Sequence, residues 1–541
     1  MHQSGLALLK AFPENELHRL VVDGELCRKE NGWEAYERRE PGCLKAFFTG
    51  LRYIQYVLET NPNIALTPEL IRTIHAMVYI DLPGSVSGPG KFRQPMIMGV
   101  FRTGGIKLNK SLMTVAGIQQ FIDNLKQYPF RWLDRIVFGE YVLDAGIPEL
   151  LAKLNITEDE LAQTIYEKLT KDEGECVSIH VPEQGPEVSY MQIQWICEQY
   201  AKEIQSAQTQ DDKFSIIIKT VQRLEQCHSF SDFNNRTYIN LLLRLLLIQN
   251  GFEFPILDNY NIFDLQSVDE LIVAVKKGIE DTHKVVAGES VFGFDTKQCS
   301  EAQLTKLKQH TDIFTARLSK TLVVRFIRVE EKMKIANELF NFNKITFKIF
   351  SKYAPLLESF DMEMMENSFK EISGEELKKI LHEELSSLEV SKQDIQDILD
   401  IENPTFDELE SKFKAIDRKR GSKDLLEQIQ SMINSEAEIF NADEIDYEAF
   451  ILFFVNKINE LKKIDDKDLG IVHDFIVEFE AIKLRLETFQ KAFNFKLNSI
   501  ASTGEMCATL SGRYETPVSE TVTMENEGAE SLLPLSEIRP K

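Results

Sequence analysis

The sequence is poor in the residues that staple or distort a fold. Seven cysteines are scattered over 541 residues, with no CxxC pair and no short Cys–His spacing. That pattern excludes a disulfide framework and a structural zinc site, and it fits a reducing compartment. Glycine (26) and proline (17) are too few for a fibrous or low-complexity chain, and tryptophan is scarce (3). Basic residues are in deficit: 62 Lys+Arg against 86 Asp+Glu, a formal net charge of −24. Such a chain is a poor bulk binder of nucleic acid or of an anionic membrane, so nucleic acid is not expected as a partner and membrane association is not indicated. The start, Met1-His2-Gln3, lacks the basic opening and apolar stretch of a secretory signal. The most apolar run, Ile239–Ile248, contains Asn240 and Arg244 and is too short to span a bilayer. The expectation is a soluble protein that works in a cytosol. What the chain does have is 43% hydrophobic residues and 35 phenylalanines, enough for two to four domains.

Apolar residues recur mostly at helical spacing, so the expected fold is mostly α. Leu44–Leu58 reads as one helix. Thr67-Pro68-Glu69 reads as a cap, a first-turn proline and an acidic first turn, opening a helix to about Tyr79. Asp81–Gly90 is a loop. Met96–Val100 and Ile106–Leu108 flank Arg102-Thr-Gly-Gly105, the pattern of a short β-hairpin. Residues 130–205 read as an inserted helical subdomain, with a helix starting at Thr157. Two strong helices, Phe214–Cys227 and Arg236–Gln249, are joined by Ser229–Asn235, and Gly251 is placed as a C-cap. Residues 303–352 carry a net +7, residues 361–450 a net −15. The charged 303–352 helices, with their interleaved phenylalanines, are read as core helices with solvated faces rather than a lipid-binding surface. His75 is isolated in sequence and reads as structural rather than as a ligand.

One segment stands out: His228-Ser229-Phe230-Ser231-Asp232-Phe233-Asn234-Asn235-Arg236. An imidazole ends one helix; a carboxylate, two amides and a guanidinium open the next. A helix N-terminus offers unpaired N–H groups to an anion, and Asn234, Asn235 and Arg236 add donors suited to phosphate oxygens. Asp232 can hold Mg²⁺. An unperturbed imidazole, such as His228 offers, has a pKa near neutrality and is suited to taking a proton from a hydroxyl. The same residues also read as a polar interhelical turn, with Asp232 or Asn234 as an ordinary N-cap.

The segment resembles the signature of the Fic family, His-Pro-Phe-x-[Asp/Glu]-Gly-Asn-Gly-Arg between two helices. His228, Phe230, Asp232, Asn234 and Arg236 match in identity and spacing. Pro89-Gly90-Lys91-Phe92-Arg93, followed by Met96, Ile97, Met98 and Gly99, is similar to the segment leading into the family's target-docking flap. The resemblance covers roughly residues 44–260. It implies that His228 is the general base, that Asp232 holds Mg²⁺ on a diphosphate, that Asn234 and the loop backbone contact the phosphates, and that Arg236 contacts the diphosphate on the leaving side. It further implies a flap that docks an extended segment of a target protein by strand addition. The implied reaction is transfer of AMP or another nucleotide-derived group, such as phosphocholine, to a Ser, Thr or Tyr hydroxyl. The implied donor is ATP or a CDP-choline-like nucleotide.

Three departures bear on the donor. Phe233 and Asn235 stand where the family has small residues, and Ile239 stands where ATP-using members have a second arginine. They turn the expectation from ATP towards a diphosphate donor without a γ-phosphate. They also raise the alternative of a catalytically inactive, Fic-like scaffold acting as an interaction module. Thr523–Gly528 matches the family's inhibitory pattern, but without the second arginine no such inhibition is expected. The glutamates at 515, 520, 525, 527 and 530 resemble the export signals of type IV effectors, which implies secretion into a host cytoplasm and a host target protein. The expected organisation is a helical extension (1–43), a Fic-like core (44–260), a connecting segment (261–300), a separate all-helical C-terminal domain (301–500) and a disordered tail (501–541).

Overall fold

The computed structural model describes residues 3–353 apart from 30–31, 80–81, 83–98, 102–112, 128–134, 139–140, 144–150, 152–155, 172–176, 181–185, 231 and 293–298, then residues 425, 428–429, 431–432, 446–464 and 470–511. The architecture is mostly helical, as expected. Helix α1 (Gln3–Lys10) and two 3₁₀ turns lead into α2 (Gly32–Arg39), α3 (Cys43–Thr60) and α4 (Pro68–Met77). Strand β1 (Gly99–Phe101) and α5 (Val115–Gln127) follow. Next come β2 (Arg135–Phe138), β3 (Tyr141–Leu143), α6 (Glu158–Lys171), β4 (Val177–His180), α7 (Pro186–Ser206) and α8 (Gln210–Gln226). A π-helical stretch, Arg236–Leu242, continues as α9 (Leu243–Gln249). The short α10 (Ile262–Leu265) precedes α11 (Val268–Val286), α12 (Glu301–Thr315), α13 (Lys320–Tyr353), α14 (Tyr447–Leu461) and α15 (Ile471–Ser511). Among the described residues no helix is long and apolar enough to cross a membrane.

Local chemistry explains several boundaries. The Thr67 hydroxyl accepts the Leu70 N–H at 3.2 Å, and Pro68 occupies the first helical position, so α4 begins where the sequence places it. Thr209 and Asp212 form a capping box at the start of α8, and Ser267 and Glu270 form another at α11. Gly251 closes the motif-bearing helix with φ of 88°, and Phe252 N–H returns to the Leu247 carbonyl at 2.9 Å. Gly50 marks the close approach of α3: a Cβ there would meet Leu241 and Val78 side chains at 2.7 Å.

Three expectations are corrected. The insertion is not purely helical, because β2, β3 and β4 lie within it. They join β1 in one antiparallel sheet, in the order β1-β4-β2-β3. Strand β1 pairs with β4, with Gly99 opposite Ile179 and Phe101 opposite Val177; Ile106–Leu108, the expected hairpin partner, lies outside the described residues. Second, the start of the C-terminal domain is not a break in packing. Leu307, Phe314, Phe326, Val329 and Met333 belong to the same apolar core as α3, α4, α8 and α9. Arg52 donates to the Ala316 carbonyl at 3.1 Å, and Arg72 to Asn337 at 2.6 Å. A second apolar cluster, centred on Phe342, Phe453, Phe454, Phe475 and Phe479, begins beyond it along α13. Third, residues 501–511 of the expected disordered tail are helical; 512–541 lie outside the described residues. Residues 1–493 form one compact unit, and 494–541 a second.

The leading segment is built into the core. Arg244, inside the most apolar run, is buried and donates to the Leu20 carbonyl at 2.8 Å, and Asn240 donates to the same oxygen at 3.2 Å. These two polar side chains satisfy a backbone group of the N-terminal loop that would otherwise be costly to bury.

Candidate functional site

The helix–loop–helix from Glu225 to Leu242 carries the candidate site. Helix α8 ends at Gln226, and the helix that continues to Gln249 opens with Asn234 and Asn235. Phe230 anchors the bend: it is buried, stacks on the His75 ring at 3.9 Å between centroids and 9° between planes, and faces Tyr238 at 5.8 Å. Burying a phenylalanine stabilises by about 2–3 kcal/mol, enough to hold a short loop against its core. His75 Nε2 reaches the Asp232 carbonyl at 3.3 Å, and burial lowers its pKa to about 3, so the ring is neutral. It supports the loop from below, in keeping with the structural role expected for it.

His228 is half-buried and adopts φ of 44°, a left-handed conformation that costs a non-glycine residue roughly 1–2 kcal/mol. Its Nδ1 lies 2.8 Å from the Glu225 carbonyl oxygen. A carbonyl can only accept, so in the neutral ring this contact places the proton on Nδ1 and the lone pair on Nε2. That tautomer is the one a general base needs.

Asn234 closes the loop. Its Oδ1 accepts from Phe230 N–H at 3.0 Å, and its Nδ2 donates to the Phe230 carbonyl at 2.8 Å. Both polar atoms are therefore engaged within the loop. Asp232 is exposed, and its Oδ1 accepts from the Phe233 N–H at 2.7 Å, leaving acceptor capacity on the carboxylate. Phe233 has φ of 61°, which explains why a glycine suits this position. Its ring is buried, edge-on to Tyr79 at 5.1 Å and under the Arg236 guanidinium at 4.3 Å. The bulky group thus turns into the core. Asn235 has ordinary helical backbone, φ −53°, so no glycine is demanded there, and its Nδ2 donates to Asn261 Oδ1 at 2.7 Å.

Arg236 is drawn to the leading segment. Its Nε donates to Tyr36 Oη at 2.9 Å and its Nη2 to Glu40 Oε2 at 2.5 Å. Burial alone would lower the guanidinium pKa, but the Tyr36 phenol and the Glu40 carboxylate outweigh it, so Arg236 stays charged. Ile239 is buried in the core. Of the expected flap, Gly99 lies in β1, whereas Met96, Ile97 and Met98 lie outside the described residues.

Two further residues, unmarked by the motif, meet His228 in the fold. One carboxylate oxygen of Glu225, one of Asp264 and a ring nitrogen of His228 lie within 4.8 Å of one another. Glu225 is 1% exposed, and its Oε2 and Asp264 Oδ1 are buried without a hydrogen-bond partner. Burial, then the nearby Asp264 charge, raises the Glu225 pKa well above the carboxylate range, and burial raises that of Asp264. The Asp264 backbone is fixed by Gln226 Nε2, which donates to its carbonyl at 3.0 Å. Glu225 could be found in the sequence as an acid three residues before the motif histidine; Asp264 arrives only through the fold.

No protein-family model matches the chain. Over 291 residues it is 32% identical to the phosphocholine transferase AnkX of Legionella pneumophila subsp. pneumophila, a match that covers 52% of this chain. The chain spans about three-tenths of the length of that curated relative, 29%. It is therefore similar, over half its length, to part of a phosphocholine transferase.

Proposed function

We propose that the protein is a Fic-type transferase that moves a phosphate-linked group, phosphocholine foremost, from a nucleotide donor to a Ser, Thr or Tyr hydroxyl of a target protein. One observation carries the reading: at the motif histidine of a chain similar to a phosphocholine transferase, Nδ1 is tied to the Glu225 carbonyl, so that Nε2 bears the lone pair. In the proposed step, the target hydroxyl loses its proton to His228 Nε2 as its oxygen attacks the phosphorus bearing the choline. The bond from that phosphorus to the oxygen bridging the two phosphates breaks, and CMP leaves with the electron pair.

CDP-choline is favoured over ATP because the position of the second family arginine is the buried Ile239, which offers no charge to a γ-phosphate. Mg²⁺ would supply charge neutralisation on the diphosphate, and Asp232 offers it an exposed carboxylate. Work in a host cytoplasm after export belongs to the same reading.

A non-catalytic scaffold is the second reading. It is favoured by the engagement of Arg236 with Glu40 and Tyr36 and of Asn234 with Phe230. Incubation with labelled CDP-choline, ATP, UTP or GTP and host lysate separates the two. Label on a protein with the wild type, reduced about 10²–10⁴-fold by His228→Ala, supports the transferase. No label from any donor, with no magnesium-dependent nucleotide binding, supports the scaffold.

A further inference from the structure

We infer that Glu40 and Tyr36, in the leading segment outside the motif, are positioning residues for Arg236: they hold one edge of its guanidinium so that the other edge meets the donor diphosphate. The inference deepens the transferase reading and rests on it for the phosphate role of Arg236. A guanidinium presents its N–H groups in a fixed plane, as a side edge and an end edge. The side edge is taken: Nε donates to Tyr36 Oη at 2.9 Å and Nη2 to Glu40 Oε2 at 2.5 Å. Among the described residues no hydrogen bond engages Nη1, and the side chain keeps 11% exposure. The faces are flanked by rings, Phe233 with its centroid 4.3 Å from the guanidinium carbon and Tyr36 at 5.4 Å. The group is thus fixed in plane and in tilt, and the end edge, Nη1 with the outer N–H of Nη2, is left for a phosphate, which it fits bidentately.

The anchor is itself rigid. Glu40 sits on the turn between α2 and α3, and Glu37 ties that turn down: its Oε1 accepts the Gly42 N–H at 2.6 Å and its Oε2 the Leu44 N–H at 3.0 Å. Gly42 turns the chain with φ of 91°, a left-handed conformation that glycine adopts without strain. Glu40 therefore meets Arg236 from a fixed base. Placement matters in this chain because the position of the second family arginine is the buried Ile239, so orientation of the diphosphate falls on Arg236. A guanidinium already set in place spares the donor the cost of ordering it.

The probe is CDP-choline with Mg²⁺, titrated calorimetrically into the full-length protein at a temperature where each variant is folded. Glu40→Gln should raise the dissociation constant about tenfold, and Tyr36→Phe, which loses only a hydroxyl, about threefold. In an Arg236→Gln background Glu40→Gln should add less than about twofold, because it acts through that arginine. A merely structural role would instead lower the number of sites per chain and leave the constant of the remaining sites where it was. The inference is overturned if both single variants stay within about twofold of wild type, if Glu40→Gln costs as much without Arg236 as with it, or if the wild type does not bind CDP-choline. Label transfer into host lysate is scored separately. Transfer with unmoved constants sinks the inference alone, and constants that move as expected without transfer sink the transferase reading alone.

Discussion

Arg236 Nη2 lies 2.5 Å from Glu40 Oε2, a contact between residues 196 positions apart that joins the motif to the leading segment. The Glu40 side chain is 30% exposed and that of Arg236 only 11%, so the pair is neither a free surface bridge nor a fully buried one. Its removal leaves a largely buried cation with the Tyr36 hydroxyl still beside it. Glu40→Gln should therefore cost about 1–3 kcal/mol of stability, well above the surface norm. Urea unfolding measures it, and a cost below about 0.5 kcal/mol would show that the contact holds nothing together.

His75 should make stability depend on pH. Its folded-state pKa is lowered to about 3 by burial, with the Arg72 charge adding to the effect, against an ordinary value of 6.5. Below 6.5 the unfolded chain takes a proton that the folded chain refuses, so stability falls as the pH drops from about 6.5 towards 3. Between about pH 7 and pH 5 this group alone should remove about 2 kcal/mol. His75→Phe should cancel that share of the slope. His18, likewise lowered to about 3 by burial, should keep part of it. Parallel slopes for wild type and variant would refute the assignment.

Phe233 sets two effects against each other. Glycine at this left-handed position would relieve roughly 1–2 kcal/mol of backbone strain. It would also delete a buried ring packed against Tyr79 and Arg236, a loss of about 3–5 kcal/mol. The lost packing outweighs the relieved strain, and Phe233→Gly should destabilise by about 1–4 kcal/mol. A thermal midpoint above that of the wild type would reverse the ranking.

Asn234→Ala should be costly for a different reason. It strands both the N–H and the carbonyl of the buried Phe230. Two unmet backbone groups imply a loss of about 2–4 kcal/mol. Asn234→Asp, which keeps the acceptor and loses the donor, should fall between alanine and wild type in chemical denaturation. Equal values for alanine and wild type would mean the loop closes without this side chain.

Much of the frame is legible in the sequence because its causes are local. Thr67 and Pro68 set the start of α4, and Gly251 stops the motif-bearing helix, each through chemistry within a few residues. The bend between α8 and the next helix can be read in the same way, along with His228 at its entry. What cannot be read depends on distant partners. Asp264 reaches His228 only because α10 folds back on α8, held there by Gln226 and by Gln222, whose Nε2 donates to the Gln266 carbonyl at 2.6 Å. Likewise, Glu40 meets Arg236 by tertiary packing. Strand β4 sits in a polar stretch and pairs with β1, far earlier in the chain, a register no local pattern encodes. The contacts of Asn234 with Phe230 and of Arg236 with Glu40 and Tyr36 are not legible in the motif either, because a string does not say what a side chain touches.

The Leu20 carbonyl, met by Arg244 and Asn240, has a practical corollary for anyone wishing to trim this polypeptide. A fragment begun at residue 44 would strip the guanidinium inside the oiliest helix of an acceptor and leave Arg236 without Glu40 and Tyr36. Such a fragment should aggregate rather than yield a smaller enzyme, because the cut falls across the interior of one object.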